Sequence, residues 1–493
     1  MKNHRRLLCQ SAAVTGLAAG VLALAGCTTP ASDTRKPVPP KMDAAFANGR
    51  QADVTATAPV AVEWWRGFHD PTLDALVGQS LRSNQDLRIA LARIQETRAL
   101  YGVAVLSAFP IVTANGGYTH GLNSEAAQPG YSHEQRKYDL YNAGFDATWE
   151  LDFFGRVRAG IKAADAEIAL TEANLHDVQI TLAAEVARNY FELRGNQQRL
   201  AVARRSAENQ RENLEMTQAK LEAGTATEFD VSRAKTQLHN TLALTPPLEA
   251  AIQHAIHRLG VLTGQPPTTL GTTLTPPAPV PAVPELVAIG DPAGLLRRRP
   301  DIRAAEEALA ATNALVDMST ADLFPRVYFN GTFGVEATKF PNLGRNGATT
   351  YSFGPHLSWA ALDLGRVRDR IRASNAAADA DLARYEKTVL NALEETENAL
   401  VDFDRERARC RYLVTAAEAA EQSVTLARQR YEGGIADFLS VLDAERSQLT
   451  IQEELVTSKT RTNTHLVALY KALGGGWEAK PVPPPAAPAA PQK

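Results

Sequence analysis

The sequence predicts an α+β membrane protein, in which long antiparallel coiled-coil hairpins join four membrane-facing β-strands in an internal two-fold repeat. Three observations carry this reading. Two stretches of nearly seventy residues, starting at Gly155 and Gly365, run without proline and with few glycines. Four shorter segments alternate apolar and polar residues with aromatics at their ends. The second half of the chain repeats landmarks of the first.

Bulk composition narrows the class. The 493 residues carry a formal charge of −3 with both signs mixed, so no basic footprint for nucleic acid is present. Beyond the N-terminus no run of about 18 apolar residues occurs, so a bilayer could be crossed only by strands. Cys9, Cys27 and Cys410 form no CxxC spacing and are too few for a disulfide framework. Serine-hydrolase, phosphate-loop and HExxH motifs are missing, so no enzyme and no cofactor is expected. His254 and His257 could share a helix face but lack carboxylate or cysteine partners nearby, so no metal site is expected. Cys410 sits in a charged helical stretch and reads as inert. Four methionines argue against a methionine-rich copper or silver route.

The elements follow in order. Lys2, Arg5 and Arg6 precede a small apolar run, which reads as a signal peptide over 1–26. It ends Leu24-Ala25-Gly26-Cys27, which resembles the bacterial lipobox and implies cleavage before Cys27 and its acylation. Thr28, rather than aspartate, follows the cysteine; by the same resemblance this favours the outer membrane. A lipidated N-terminal leader is then expected over 27–69, polar over 28–60.

The repeat sets the remaining boundaries. Asp86-Leu87-Arg88 matches Asp301-Ile302-Arg303, and Phe109-Pro110 matches Phe324-Pro325, at an offset of 215. Trp149 matches Trp359, Gly155-Arg156-Val157-Arg158 matches Gly365-Arg366-Val367-Arg368, and Gly224 matches Gly434, at an offset of 210. The two copies are therefore 70–265 and 285–476. A Pro-rich linker, 266–284, joins them, and 477–493 reads as a disordered Pro/Ala tail.

In each copy a helix leads into two strands, a long helix and a returning helix. The first copy is expected to have strands near 110–121 and 138–151, a long helix 155–222 and a returning helix 227–263. The second is expected to have a helix 300–321, strands near 325–337 and 350–362, a long helix 365–432 and a returning helix 437–473. Tyr141, Ala143, Phe145, Ala147 and Trp149 alternate with Asn142, Gly144, Asp146 and Thr148. Val327, Phe329, Phe333 and Val335 repeat the pattern, as do Tyr351, Phe353, Leu357 and Trp359. The first strand is weaker, with Val112, Ala114 and Tyr118. Apolar bands bracketed by aromatics match transmembrane barrel strands. Four strands cannot close a barrel, so the chain needs partners to cover its edges.

Ile161, Ile168, Leu175 and Leu182 recur every seven residues, which predicts coiled-coil packing of the long helices. Gly224 and Gly434 read as left-handed helix ends, with Thr227 and Asp437 capping the returning helices. These hairpin turns are expected to be tips, far from the strands.

Strands, long hairpins and a two-fold repeat together resemble the outer membrane factor family, of the TolC and OprM type. The sharper matches are Leu296-Arg297-Arg298-Arg299-Pro300-Asp301-Ile302-Arg303-Ala304-Ala305-Glu306, Leu442-Asp443-Ala444-Glu445-Arg446, and Leu469-Tyr470-Lys471-Ala472-Leu473-Gly474-Gly475-Gly476-Trp477. With the lipobox, the chain looks most like the lipoprotein branch serving resistance-nodulation-division efflux systems. The resemblance implies a homotrimer whose four-stranded contributions close a 12-stranded barrel. It also implies a periplasmic adaptor (membrane fusion) protein and an inner-membrane transporter as partners, and passive export of drugs or other small molecules. A duct for protein secretion and a lipid-tethered periplasmic coiled-coil scaffold remain alternatives. Carried over, Leu439, Asp443 and Arg446 form a periplasmic gate, and their spacing of four and three puts them on one helix face. The equivalent positions of the first copy are Phe229, Arg233 and Thr236, so the gate is expected to rest mainly on the second hairpin. Gly224, Thr225, Gly433 and Gly434 are the expected adaptor-contact tips.

Overall fold

A computed structural model describes residues 34–39, 45–49, 54–55, 61–284 and 287–477. The expected signal peptide, the expected lipidation site Cys27 and residues 478–493 of the tail lie outside the described residues. The chain divides into two compact units. Of the described residues, one comprises 34–38, 93–171 and 304–386; the other comprises those within 39–92, 172–303 and 387–477.

The first unit holds a four-stranded antiparallel sheet: β1 (Ile111–Leu122), β2 (Lys137–Leu151), β3 (Arg326–Ala337) and β4 (Thr349–Ser358), in the order β1-β2-β3-β4. Its register is continuous. Tyr118 lies opposite Tyr141, Ala114 opposite Phe145, Phe145 opposite Phe333, and Phe333 opposite Tyr351. Directly opposed residues point to the same face. One face is therefore apolar across all four strands, while the other collects Asn115, Asp146, Thr332 and Ser352. Trp359 lies just past the end of β4 rather than within a strand reaching 362. Its Nε1 donates to the Leu323 carbonyl, at 3.1 Å, just as Trp149 donates to the Ala108 carbonyl at 2.8 Å.

The turn out of β2 is pinned by its own side chains. Arg156 makes a two-pronged bond to Glu150, and the rings of Phe154 and Phe324 stack with centroids 4.7 Å apart. Gly155 has φ +80°, a left-handed value that other residues adopt at a cost, and so it sits just outside the helix. Arg35 reaches Asn375 and Asp379 and ties the N-terminal segment 34–38 into this unit.

The second unit is helical. It contains α1 (Pro71–Ser83), most of α3 (Arg156–Glu222), α4 (Glu228–Leu242), α5 (Thr245–Leu262) and α6 (Pro292–Arg298). It also contains much of α8 (Leu364–Glu432) and all of α9 (Phe438–Ala472). Two further long helices, α2 (Gln85–Leu106) and α7 (Pro300–Ala321), lead into the strands. Its core gathers Leu73, Tyr190, Phe191, Leu193, Ile256, Leu259, Phe403 and Leu469. Leu182, Val186, Leu193 and Leu200 of α3 are buried, whereas Ile161, Ile168 and Leu175, the earlier part of the predicted seam, are only half-buried.

Two expectations, for the returning helix and for the tail, need correction here. The returning helix 227–263 is two helices, α4 and α5, broken at Ala243 and Leu244. Pro246 and Pro247 follow, and proline lacks the N–H and the room that a continuing helix needs. The leader also contributes to the core. Trp64, Trp65 and Phe68, on a short 3-10 turn, are buried in the helical core, with Trp64 stacked on Tyr470 at 5.1 Å. Val54–Thr55 also pairs in parallel with Val287–Ala288. Trp477, placed at the start of a disordered tail, instead donates its Nε1 to the Arg298 carbonyl at 2.9 Å and packs against His176.

The motif Leu296–Glu306 has a local explanation. Arg299 is buried and binds Asp301, Glu395 and the Ala472 carbonyl. It thereby satisfies a C-terminal carbonyl of α9, which a helix end otherwise leaves unpaired. The linker is also held: Leu274 is fully buried, and the Pro276 and Pro281 carbonyls accept from Arg194 and Asn463.

Candidate functional site

Two regions of the chain are unusual for a folded surface. The first is the apolar face of the sheet. Val112, Phe145, Phe333, Tyr351, Phe353 and Leu357 are all exposed, Phe353 by 71%. A contiguous aromatic and aliphatic patch on this scale marks a surface meant for another apolar phase. Rings close both of its ends: Tyr118, Tyr141 and Phe340 pack together at one, and Trp149 and Phe329 lie opposite each other at the other. Tyr141 and Trp149 are eight residues apart, about 27 Å along a strand. That is comparable with the ≈25 Å lipid-facing band of a membrane barrel.

The polar face is lined by small residues. Gly144 and Gly334 lie directly opposite each other, and a Cβ built on Gly144 would stand 2.7 Å from the Phe333 carbonyl oxygen. Two strands approach here as only glycine permits. β1 and β4 each present an outer edge with no strand beside it among the described residues.

The second region lies where the helical hairpins turn. Gly224 (φ +71°) and Gly434 (φ +72°) end α3 and α8. Thr225 N donates to the Lys220 carbonyl and Ile435 N to the Arg430 carbonyl, both at 2.8 Å, so both helices stop in the same left-handed cap. Thr227 and Asp230 form a reciprocal capping box on α4, and Asp437 accepts from Ser440 at the start of α9. The bonds from Thr227 hold the Asp230 carboxyl below its ordinary value of 3.8. Lys220 sits over the Tyr431 ring at 3.8 Å, joining one hairpin to the other. Gly224, Thr225, Gly433 and Gly434 are exposed at these turns.

Beside the turns, α4 and α9 frame an open groove of about 450 Å³. Leu439, Asp443 and Arg446 line one wall and Phe229, Arg233 and Thr236 the other. Asp443 accepts from Arg446 at 2.6 Å, both side chains about two-thirds exposed. Arg233 lies over the Phe229 ring at 5.2 Å. The three residues singled out on the second hairpin thus share one groove with their first-hairpin equivalents. Phe229 and Arg233 supply an apolar group and a charge to the same space. Their positions follow from the repeat offset, which is the signal that finds them.

The comparisons with known proteins decide the family. The family described as outer membrane efflux protein matches residues 76–265 and 292–475. The chain belongs to the outer membrane efflux protein family. It is 31% identical to the solvent efflux pump outer membrane protein SrpC of Pseudomonas putida, over 93% of this chain and 97% of that protein. It is 30% identical to nodulation protein T of Rhizobium leguminosarum bv. trifolii, over 89% of this chain and 93% of that protein. Among solved structures, the outer-membrane channel OprN superposes with a TM-score of 0.83 and 41% identity, covering 90% of this chain and all of OprN. This chain is therefore an outer-membrane efflux channel protein, in a family of channels rather than enzymes. The fold it shares with these channels is mostly helical with a small antiparallel sheet.

Proposed function

We propose that three copies of the channel close their sheets into one 12-stranded transmembrane barrel, and that this homotrimer is the passive outer-membrane duct of a tripartite efflux pump. The observation that carries the reading is the pair of open sheet edges flanking an apolar face. In lipid each unpaired backbone group costs several kcal/mol, so β1 and β4 must be covered, and a neighbouring copy supplies the matching edge. Twelve strands fall in the range where a barrel leaves an aqueous lumen. The glycine-rich polar face suits the concave, water-lined side. In this reading residues 70–265 and 285–476 are two copies of one unit, each giving two strands and one hairpin. Cys27 carries the lipid that tethers the mature chain.

The groove beside the hairpin turns is the periplasmic gate. Leu439 and Phe229 give an apolar constriction that closes by dewetting, and Asp443, Arg446 and Arg233 give a charged ring. The tips at Gly224, Thr225, Gly433 and Gly434 meet a periplasmic adaptor protein, which links the duct to an inner-membrane transporter of the resistance-nodulation-division type. Energy and substrate choice reside in that transporter; the channel needs no cofactor. The relatives named for solvent and toluene efflux point to small apolar organic compounds as cargo. Deletion of the gene followed by a panel of dyes, solvents and antibiotics tests this. Greater susceptibility and dye accumulation are expected; unchanged values for every compound would remove efflux as the function.

A further inference from the structure

The seam of α9 near the turns contains one charged residue where its neighbours are apolar. Phe438, Leu442, Glu445 and Leu449 are buried at spacings of four, three and four, the rhythm of a coiled-coil core. Glu445 is only 5% exposed, on the side of the helix turned away from Leu439, Asp443 and Arg446. Its Oε1 accepts from Asn213 of α3 at 2.6 Å and from Arg428 of α8 at 2.7 Å. One carboxylate thus joins three helices.

Stability does not account for it. Its second oxygen, Oε2, is buried without a hydrogen-bond partner, and Asn213 is only 8% exposed. Burying a charge on such terms is costly, and replacing buried ion pairs by apolar residues is often neutral or stabilising. A polar group at a coiled-coil core position has a better-attested use: it fixes the register of the helices, because any slip leaves the group unpaired. α9 carries the gate residues on its other face, so its axial register sets the height of Leu439, Asp443 and Arg446 relative to α4.

We infer that Glu445, held by Asn213 and Arg428, is a positioning residue that locks the register of α9 and thereby holds the channel closed at rest. The inference rests on the gate reading given above. Loss of the lock frees α9 to shift along α3 and α8, and the gate residues lose alignment while the hairpin stays folded.

The test is single-channel recording in planar bilayers of the full-length channel carrying N213L and E445L together, with thermal unfolding measured in parallel. Both buried polar partners become apolar, and Arg428, which is partly exposed, can turn to solvent. The expected result is a melting temperature equal to or above wild type with a raised resting conductance, two readouts that a purely structural role would not move in this combination. Glu445→Gln is the second variant: it keeps the volume and the Asn213 bond but discharges the contact with Arg428, and it should fold and also conduct more. Asp443→Ala is recorded alongside. If Asp443→Ala raises conductance while the Glu445 variants, as intact assemblies, conduct like wild type, the lock is overturned and the gate stands. If Asp443→Ala is also silent, the gate reading itself fails and the lock with it.

Discussion

In the proposed gate, Asp443 and Arg446 act by position rather than by stabilising the fold. Their bond is exposed on both sides, so it contributes about 0.2–0.5 kcal/mol. Asp443→Ala should therefore leave the melting temperature unchanged while raising single-channel conductance; an intact assembly with wild-type conductance would take Asp443 out of the gate. Asp177 behaves in the opposite way. Burial, and then the nearby Asp301, hold its carboxyl above the ordinary 3.8, with Lys471 and Arg299 opposing. The folded state thus binds this proton more tightly than the unfolded chain does. The penalty is absent below the unfolded value and grows as pH rises through the raised folded value. Asp177→Asn should raise the melting temperature at neutral pH, and the gain should vanish in acid below about pH 3.8; a gain independent of pH would contradict this assignment. The spacing of Leu439, Asp443 and Arg446 made their shared face legible in the sequence. Glu445 was not, because a lone glutamate in a charged helix looks like a surface residue until the helices from Asn213 and Arg428 are brought beside it.

Among the elements, the strands were the easiest to read. Alternation of period two is local, and the register shows it agreeing across four strands, with Phe145, Phe333 and Tyr351 in one row. The glycine stops at Gly224 and Gly434 were also local signals, since a left-handed residue after a long helix needs no distant partner. The break between α4 and α5 was missed because Pro246 and Pro247 stand inside an otherwise continuous helical pattern, and proline is tolerated in the first turn of a new helix. Gly144 and Gly334 give the sheet its own test. A side chain at either position meets the backbone of the facing strand, so Gly144→Val should disrupt the β2–β3 pairing and lower the yield of assembled channel in the outer membrane. Normal assembly of that variant would show that the close approach of the two strands is dispensable.

For the whole molecule, what stayed hidden was long-range burial. Trp64, Trp65 and Phe68 come from the leader, ahead of both repeats, yet they complete the core around Tyr470 and Phe191. Arg299 likewise acts across 173 residues of sequence on the Ala472 carbonyl. Neither partnership has a periodic signature, so neither could be found without the fold. The proposed closure by sister chains, by contrast, is argued from counting strands: among the described residues β1 and β4 are edges, and the face between them is broadly apolar and exposed. The most direct test of that closure is electrophoresis of the detergent-extracted wild-type channel with and without boiling. A detergent-resistant trimer that collapses to single chains on heating is expected. A stable, water-soluble monomer obtained without detergent would contradict it.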